Sequence, residues 1–244
     1  MNKKARLDVL LTEKGLAESR NKAQALIMSG NVLVNEKKID KPGTSVPIDG
    51  IIRILGDNNP YVSRGGLKLE GALKEFKYDP KDKVVLDVGA STGGFTDCLL
   101  QKGAKHVIAL DVGHNQIDYK LRKDPRVTVI EKYNARDLKP EDLKSTPDLV
   151  VMDVSFISIT KILPALKNIL SSGADIISLV KPQFEAGKEQ VEKGGLINDP
   201  LVQQQVLGDI TKAAADLGFT ILDTCTSPIT GKDGNKEFFI HLKK

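Results

Sequence analysis

Four charged side chains stand in apolar or strand-terminal positions of this 244-residue sequence. They are Lys68, Asp153, Lys181 and Glu237. Because lysine and carboxylate side chains are seldom buried unless they are paired, we expect the two lysines to pair with the two carboxylates. Such a set can remove a proton from a weakly acidic group or stabilise the charge that develops on it. Each residue taken singly is more often structural than catalytic, so the prediction of an active site depends on the whole set.

A glycine-rich segment, residues 87–96, lies where a run of aliphatic residues ends. In open α/β sheets, ligands bind beyond the carboxyl ends of the strands, and glycines let the backbone approach them closely. Asp111 lies 22 positions after Gly89, where a carboxylate can accept hydrogen bonds from ribose hydroxyls. Asn134, which follows the third predicted strand, either contacts the adenine of a bound nucleoside cofactor or is a simple turn residue. The predicted cofactor-binding residues are Asp87, Gly89, Ala90, Ser91, Gly93, Gly94, Phe95, Asp111, Asn134 and Asp153.

The residue types in this segment favour S-adenosylmethionine over a nicotinamide dinucleotide. The dinucleotide fingerprint is G-x-G-x-x-G, whereas here Ser91 replaces the second glycine. Asp87 suits a cofactor that carries an ammonium group better than one that carries a pyrophosphate. A tight turn that binds no ligand is the remaining alternative.

Residues 1–57 predict a small α+β domain. Apolar spacing predicts helices at 6–14 and 20–28, the second with Ser19 as its N-cap. Two short strands around a polar turn are predicted within 32–39 and a further strand near 51–55. We place the domain boundaries at turn-forming residues, with a small domain, a linker and a large domain at 1–57, 58–62 and 63–244.

The large domain alternates between aliphatic runs and helical segments. Predicted strands are 84–88, 107–112, 127–131, 149–154, 176–180, 219–225 and 237–242, and predicted helices are 94–102, 115–123, 159–170 and 200–217. Continuous Val, Ile and Leu runs indicate strands buried on both faces, hence a mostly parallel sheet between helices. The short turn-rich connection before the last strand predicts an antiparallel final pair. This α/β plan, a seven-stranded mostly parallel sheet, is that of a class I (Rossmann-like) methyltransferase.

Composition and charge narrow the class of protein further. No apolar run is long enough to span a bilayer, and early charged residues argue against a signal peptide, so we expect a cytoplasmic protein. The two cysteines and three histidines lack metal-ligand spacing, so no metal site is predicted. Residues 1–58 carry 10 Lys and Arg against 7 Asp and Glu, and thus most of the net charge of +4. This suits a domain that binds a polyanion, although a solvated basic surface would have the same charge.

Several segments resemble the TlyA family and its FtsJ-like methyltransferase relatives. The most specific are residues 63–69 (Ser-Arg-Gly-Gly-Leu-Lys-Leu), 153–158 (Asp-Val-Ser-Phe-Ile-Ser) and 181–185 (Lys-Pro-Gln-Phe-Glu). Residues 6–55 resemble a small RNA-binding domain named after a ribosomal protein, the S-four type. The resemblance spans essentially the whole chain and implies 2′-O-methylation of cytidine ribose in ribosomal RNA of the large subunit, the small subunit, or both.

The resemblance also implies a Lys-Asp-Lys-Glu tetrad at Lys68, Asp153, Lys181 and Glu237, with Lys181 as the central group. Methyl transfer to a ribose hydroxyl requires the oxygen, the methyl carbon and the sulfur to be aligned, and the hydroxyl proton to be removed. Lys181 could act as the base or, if it stays charged, stabilise the developing alkoxide. The sequence leaves both roles open.

Candidate RNA contacts in the small domain are Arg6, Arg20, Asn21, Lys22 and Lys38. We expect them to recognise RNA shape and phosphates more than base edges, with one or more being only a solvated charge. Residues 182–199 predict a loop that either covers the substrate or is a passive insertion.

Two other functions stay open. Members of this family are often called haemolysins, so a cytolysin is one alternative, against which the lack of a spanning segment counts. A non-catalytic protein that binds RNA and the cofactor is the other, and the complete tetrad argues against it. The sequence predicts no oligomeric state.

Overall fold

The computed structural model describes residues 3–54, 59–192, 194–231 and 234–244. The chain folds into two compact units, Met1–Asn58 and Asn59–Lys244. The predicted boundary between residues 57 and 58 lies outside the described residues.

The first unit is a small α+β fold with two helices and short antiparallel strands. Its elements are β1 (Lys4–Arg6), α1 (Leu7–Glu13), α2 (Arg20–Met28), β2 (Val32–Val34), β3 (Lys37–Ile39), β4 (Ser45–Pro47) and β5 (Ile52–Ile54). β1 pairs with β4, and β2 lies between β3 and β5. The Ser19 side chain accepts a hydrogen bond from the backbone of Lys22, as predicted for the α2 N-cap. The sequence pattern did not predict β1 (KAR) and β4 (SVP), because neither segment contains an apolar run or adjoins a hairpin turn that would mark a strand.

The second unit is a sheet with helices on both faces. Its elements are α3 (Gly65–Glu75), β6 (Val84–Val88), α4 (Gly94–Gln101), β7 (His106–Leu110), α5 (Tyr119–Arg122), β8 (Val127–Ile130), β9 (Leu149–Met152), α6 (Leu163–Ile169), β10 (Asp175–Val180), α7 (Pro182–Glu185), α8 (Pro200–Asp216), β11 (Thr220–Thr226) and β12 (Phe238–Lys243). The strand order is β11-β12-β10-β9-β6-β7-β8.

Five neighbouring strands of this sheet, from β10 to β8, run parallel, and β12 is antiparallel to both of its neighbours. The predicted fold class, a seven-stranded mostly parallel sheet with an antiparallel final pair, is therefore confirmed. The strands β6, β7, β9 and β10 are mainly aliphatic and are buried between two cores, one on each face of the sheet, whereas the edge strand β11 is largely exposed. Because β6, β9 and β10 are consecutive parallel strands, their carboxyl ends meet at one edge of the sheet.

The helical boundaries differ from the predictions in ways that have local causes. Of the predicted helix 115–123, only α5 is helical. Asp118 has an extended backbone and is the N-cap of α5, where its side chain accepts a hydrogen bond from the backbone N–H of Lys120. The predicted helix 159–170 divides into a 3₁₀ turn and α6, with Pro164 in the first turn of α6. The sequence did not predict α3, whose first two residues are glycines and weaken the helical signal.

Candidate active site

Two shielded ion pairs stand at the carboxyl edge of the parallel strands. The ammonium of Lys181 lies 2.6 Å from Oδ1 of Asp153 and donates a hydrogen bond of 2.9 Å to Oγ of Ser155. The ammonium of Lys68 lies 2.5 Å from Oε2 of Glu237. No side chain in either pair is more than 22% exposed. The four charged residues singled out in the sequence are thus joined in two lysine–carboxylate pairs.

Strand register explains how distant residues meet here. β9 and β10 are parallel neighbours, so Asp153 and Lys181, which follow them directly, leave the sheet at the same edge. β12 is antiparallel to β10, with Phe238 opposite Val180, so Glu237 precedes β12 at that same edge. Lys68 comes from the buried face of α3, which brings its ammonium to the carboxylate of Glu237.

Two adjoining cavities open at this edge and share Gly89, Ser91, Asp153 and Ser155. The first, of about 510 Å³, we call the lysine cavity. Its other lining residues are Ser63, Arg64, Gly65, Lys68, Ala90, Thr92, Gly94, Phe95, Lys181 and Thr230. The second, of about 440 Å³, we call the Asp111 cavity, and it is lined mainly by apolar residues together with Asp111, Gln116, Tyr133 and Asn134. Both volumes suit a bound small molecule or nucleoside.

In the Asp111 cavity, the carboxylate of Asp111 is held rigidly at the end of β7. Its Oδ2 accepts a hydrogen bond of 2.8 Å from the backbone of Ser91, and its Oδ1 accepts one of 2.6 Å from Gly113. Asn134 caps the next 3₁₀ turn by accepting from the backbone of Arg136. A fixed carboxylate beside an apolar slot is what a ribose with an attached base requires.

Asp87 is fully buried beneath the glycine-rich segment. Its Oδ2 accepts a hydrogen bond of 2.6 Å from the hydroxyl of Thr96, whereas its Oδ1 has no hydrogen-bond partner among the described residues. Burial, and next the charge of Asp153, raise the pKa of Asp87 to about 7 against the partial opposition of Thr96. A buried carboxylate oxygen without a partner fits an ammonium group, as the methionine part of S-adenosylmethionine would provide.

We expect the affinity for S-adenosylmethionine to rise with pH between pH 6 and 7.5. A cationic ammonium binds the ionised form of Asp87, so binding releases the proton that Asp87 holds below pH 7. The dissociation constant should fall by up to about tenfold per pH unit in the lower part of this range, where the ligand amine itself stays charged. Isothermal titration calorimetry of wild type and Asp87→Asn measures this, and an equal slope in both proteins would contradict the assignment.

At Gly89, both the backbone conformation and the surrounding space demand glycine. Its φ is +81°, and a Cβ built on it would lie 2.5 Å from the carbonyl oxygen of Asp153. The chain after β6 therefore passes directly against the chain after β9. Gly93 lines neither cavity, and its left-handed φ of 95° begins α4.

Gly89→Ala should weaken cofactor binding by at least about tenfold, because the new methyl group displaces the backbone of Asp153. Gly173→Ala is the matched control: its φ is +86°, but nothing lies within 4 Å of the added Cβ. Gly173→Ala should lose about 1–2 kcal/mol of unfolding free energy from backbone strain, and Gly89→Ala should lose more because its methyl group also meets the Asp153 backbone, as urea denaturation would measure. Equal cofactor affinities in the two variants would show that the contact with Asp153 has no role in binding.

Several cavity residues were not singled out in the sequence. Arg64 and Ser155 belong to the quoted segments 63–69 and 153–158, so a closer examination of those segments could have found them. Gln116 and Thr230 carry no sequence signal, because only the fold brings their loops to the cavities.

In the first unit, the candidate RNA contacts divide into two groups. Arg6 and Arg20 share one carboxylate partner and lie side by side. Asn21 and Lys22 are exposed on the first turn of α2, and Lys38 is exposed on β3 and lies across the backbone at the end of α2. The structure therefore brings together only the two arginines through a common contact.

Comparison with protein families identifies both units. Residues 61–244 match the model of the FtsJ-like methyltransferases, and residues 5–52 match that of the S4 domain. This chain belongs to the FtsJ-like methyltransferase family. The match confirms the predicted enzyme class and, with it, S-adenosylmethionine as the cofactor of this FtsJ-like chain.

Two curated proteins match this chain over almost all of its residues. The 16S/23S rRNA (cytidine-2′-O)-methyltransferase TlyA of Mycobacterium tuberculosis is 44% identical over 244 residues, which is 100% of this chain and 91% of that protein. Hemolysin A of Brachyspira hyodysenteriae is 46% identical over 238 residues, 97% of this chain and 99% of that one. The predicted resemblance to the TlyA family is therefore confirmed.

A solved structure has the same architecture. The provisionally named hemolysin from Streptococcus thermophilus is 45% identical and superposes with a TM-score of 0.79 over 100% of this chain and 90% of that one. In the described part of the FtsJ-like chain, no helix is both long and apolar enough to cross a membrane.

Proposed function

We propose that this chain transfers the methyl group of S-adenosylmethionine to the 2′-hydroxyl of cytidine ribose in ribosomal RNA. The observation that carries this proposal is the lysine cavity, where Lys68, Lys181 and Asp153 face a space that adjoins the glycine-rich segment. The substrate follows from the TlyA relative, whose name specifies cytidine 2′-O-methylation of 16S and 23S ribosomal RNA.

The Asp111 cavity would hold the adenosine part of the cofactor. Asp111 would bind the ribose hydroxyls, and Asn134 and its neighbours would surround the adenine. Asp87, which is buried beneath the glycine-rich segment and lines neither cavity, would receive the ammonium group through its unpartnered Oδ1. Gly89 and Ser91 line both this cavity and the lysine cavity, so a cofactor that extends from one to the other would pass along the glycine-rich segment. The other predicted cofactor residues, Ala90, Gly94 and Phe95, line the lysine cavity and would face the acceptor end.

Bound S-adenosylmethionine supplies a methyl group on a sulfonium, which is already a good leaving group. The chain must therefore place the ribose oxygen in line and deal with its proton and its developing charge. Lys181 reaches into the lysine cavity while Asp153 and Ser155 fix its ammonium. Lys68, held by Glu237, adds a second cation to the same wall. Two fixed cations favour an acceptor oxygen that becomes negative during the reaction.

The S4 unit would bind the RNA through Arg6, Arg20, Asn21, Lys22 and Lys38. We retain residues 1–57 as the RNA-binding domain, 58–62 as a linker and 63–244 as the catalytic domain as part of this proposal. A ribosomal substrate would place the protein in the cytoplasm.

The test is transfer of labelled methyl groups to purified ribosomal subunits that lack the modification. We expect label on the RNA of the small subunit, the large subunit, or both, and none when the protein is omitted. Absence of label on either subunit, with cofactor binding verified by calorimetry, would contradict the proposal. Erythrocyte lysis by the purified protein that is unchanged in Lys181→Met would instead favour the cytolysin alternative.

A further inference from the structure

The carboxylate of Asp8, at the start of α1, is completely buried in the first unit. Its oxygens accept hydrogen bonds of 3.0 and 2.9 Å from Nε and Nη2 of Arg6, and one of 3.0 Å from Nε of Arg20. Nε2 of Gln24 donates a further one of 2.9 Å, and the backbone of Val9 donates another. One carboxylate thus organises two arginines from α2 and the end of β1.

The two arginines differ from their common partner in exposure. Arg6 and Arg20 have 51% and 54% of their side chains exposed, whereas Asp8 has none. Nε and Nη2 of Arg6 and Nε of Arg20 donate to the buried carboxylate, which leaves Nη1 of Arg6 and both Nη groups of Arg20 without a side-chain acceptor among the described residues. Among the described residues, Asp8 is the sole side-chain partner of either guanidinium.

The cluster of Asp8, Arg6 and Arg20 carries a net positive charge. The hydrogen bond from Arg6, followed by those from Gln24 and Arg20, holds the pKa of Asp8 well below its usual range, so the carboxylate stays ionised at neutral pH. Two guanidinium cations against one carboxylate leave one net positive charge at the surface. Gly43 keeps the space beside Arg6 clear, since even a Cβ there would lie 3.3 Å from Nη1.

Paired guanidinium groups with free Nη donors match the oxygens of a phosphate in number and geometry. Arginines on a flexible surface would have to lose side-chain freedom when they bind, whereas these two are already fixed. We propose that Asp8 is a positioning residue that joins Arg6 and Arg20 into one site for a backbone phosphate of RNA. This inference rests on the proposed function, because it takes the first unit to be the part that binds RNA.

A charge argument and a positioning argument predict opposite results for Asp8→Asn. If only net charge matters, loss of a carboxylate beside two arginines should strengthen RNA binding. If Asp8 positions the arginines, the variant should bind more weakly despite its higher positive charge. An uncharged amide has one acceptor oxygen in place of two, so it cannot accept from all the donors that converge on Asp8. The sign of the effect therefore separates the two.

The experiment measures binding of the full chain to purified ribosomal RNA over a series of salt concentrations. We expect Asp8→Asn to raise the dissociation constant by about fivefold or more. The slope of the logarithm of the binding constant against the logarithm of the salt concentration should become shallower by about one unit, which corresponds to the loss of one phosphate contact. Gln24→Met is the matched control, since it removes a donor to the same carboxylate but leaves both arginine pairs, and it should stay within about twofold of wild type. In methyl transfer, Asp8→Asn should raise KM and leave kcat unchanged.

Equal or tighter binding by a folded Asp8→Asn protein would overturn the inference. If this variant does not fold, as judged by circular dichroism and thermal melting, Arg6→Lys and Arg20→Lys decide instead. They keep the charge but lose the planar fork, so weaker binding supports the positioning role and unchanged binding overturns it. Failure of the proposed function alone would appear differently, as intact RNA binding by wild type without any methyl transfer.

Discussion

Lys181→Met is expected to lower kcat for methyl transfer by about 10²–10⁴-fold while cofactor affinity changes little. The ammonium of Lys181 is the charged group that reaches into the lysine cavity from the end of β10, and Asp153 and Ser155 fix its place. Methionine retains the length of the side chain and removes only its charge and its proton-binding nitrogen. Steady-state transfer to ribosomal subunits measures kcat, single-turnover transfer measures the chemical step, and calorimetry measures cofactor affinity.

Two further variants make this result specific. Lys212→Met, at an exposed position of α8, controls for the loss of one surface charge and should retain full activity. Lys181→Arg keeps a cation that does not titrate in the working range, so partial activity would assign Lys181 to charge stabilisation and no activity would assign it to proton removal. Activity of Lys181→Met within about threefold of wild type would exclude Lys181 from the reaction.

Removal of one partner of the Lys68–Glu237 pair is expected to cause the largest loss of stability. Their side chains are 11% and 3% exposed, so a single substitution leaves a shielded charge without a partner. Such a loss typically costs about 3–5 kcal/mol of unfolding free energy, whereas replacement of both partners by apolar residues is often nearly neutral. We therefore expect Lys68→Met and Glu237→Leu to unfold at clearly lower urea concentrations, and the double variant to recover most of the loss.

The double variant also separates structure from chemistry. Because it restores packing without charge, a folded double variant with slow methyl transfer would show that the Lys68–Glu237 pair acts on the reaction. A folded double variant with normal kcat would show that this pair only supports the fold. Additive losses of stability in the double variant would contradict a direct ion pair between the two residues.

Much of the fold could be predicted because its strands are short aliphatic runs. The segments Val84–Val88 and Leu149–Met152 have no polar residue on either face apart from Asp87. A central parallel strand requires such an apolar pattern because helices cover both of its faces. The same pattern gave the edge at which Asp153 and Lys181 meet. Helix α3 was different: Gly65 and Gly66 obscure its start, although the helix is what carries Lys68 to Glu237.

Pairings between distant residues could be expected but not assigned from the sequence. Two lysines and two carboxylates allow two sets of pairs. Only the placement of α3, which brings Lys68 to Glu237, leaves Asp153 to Lys181. The shared carboxylate of Asp8 was missed for a related reason. Asp8 stands in an ordinary helical pattern, and its burial becomes visible only when α1 and α2 are packed together.

The most direct test of the central claim is to identify the nucleoside that carries the transferred methyl group. RNA from subunits labelled by wild-type protein would be digested to nucleosides and resolved by chromatography with mass detection. We expect the label in 2′-O-methylcytidine, with little or none after reaction with Lys181→Met. Label on a nucleobase, or on the ribose of a different nucleoside, would contradict the account of the lysine cavity as a site for cytidine ribose.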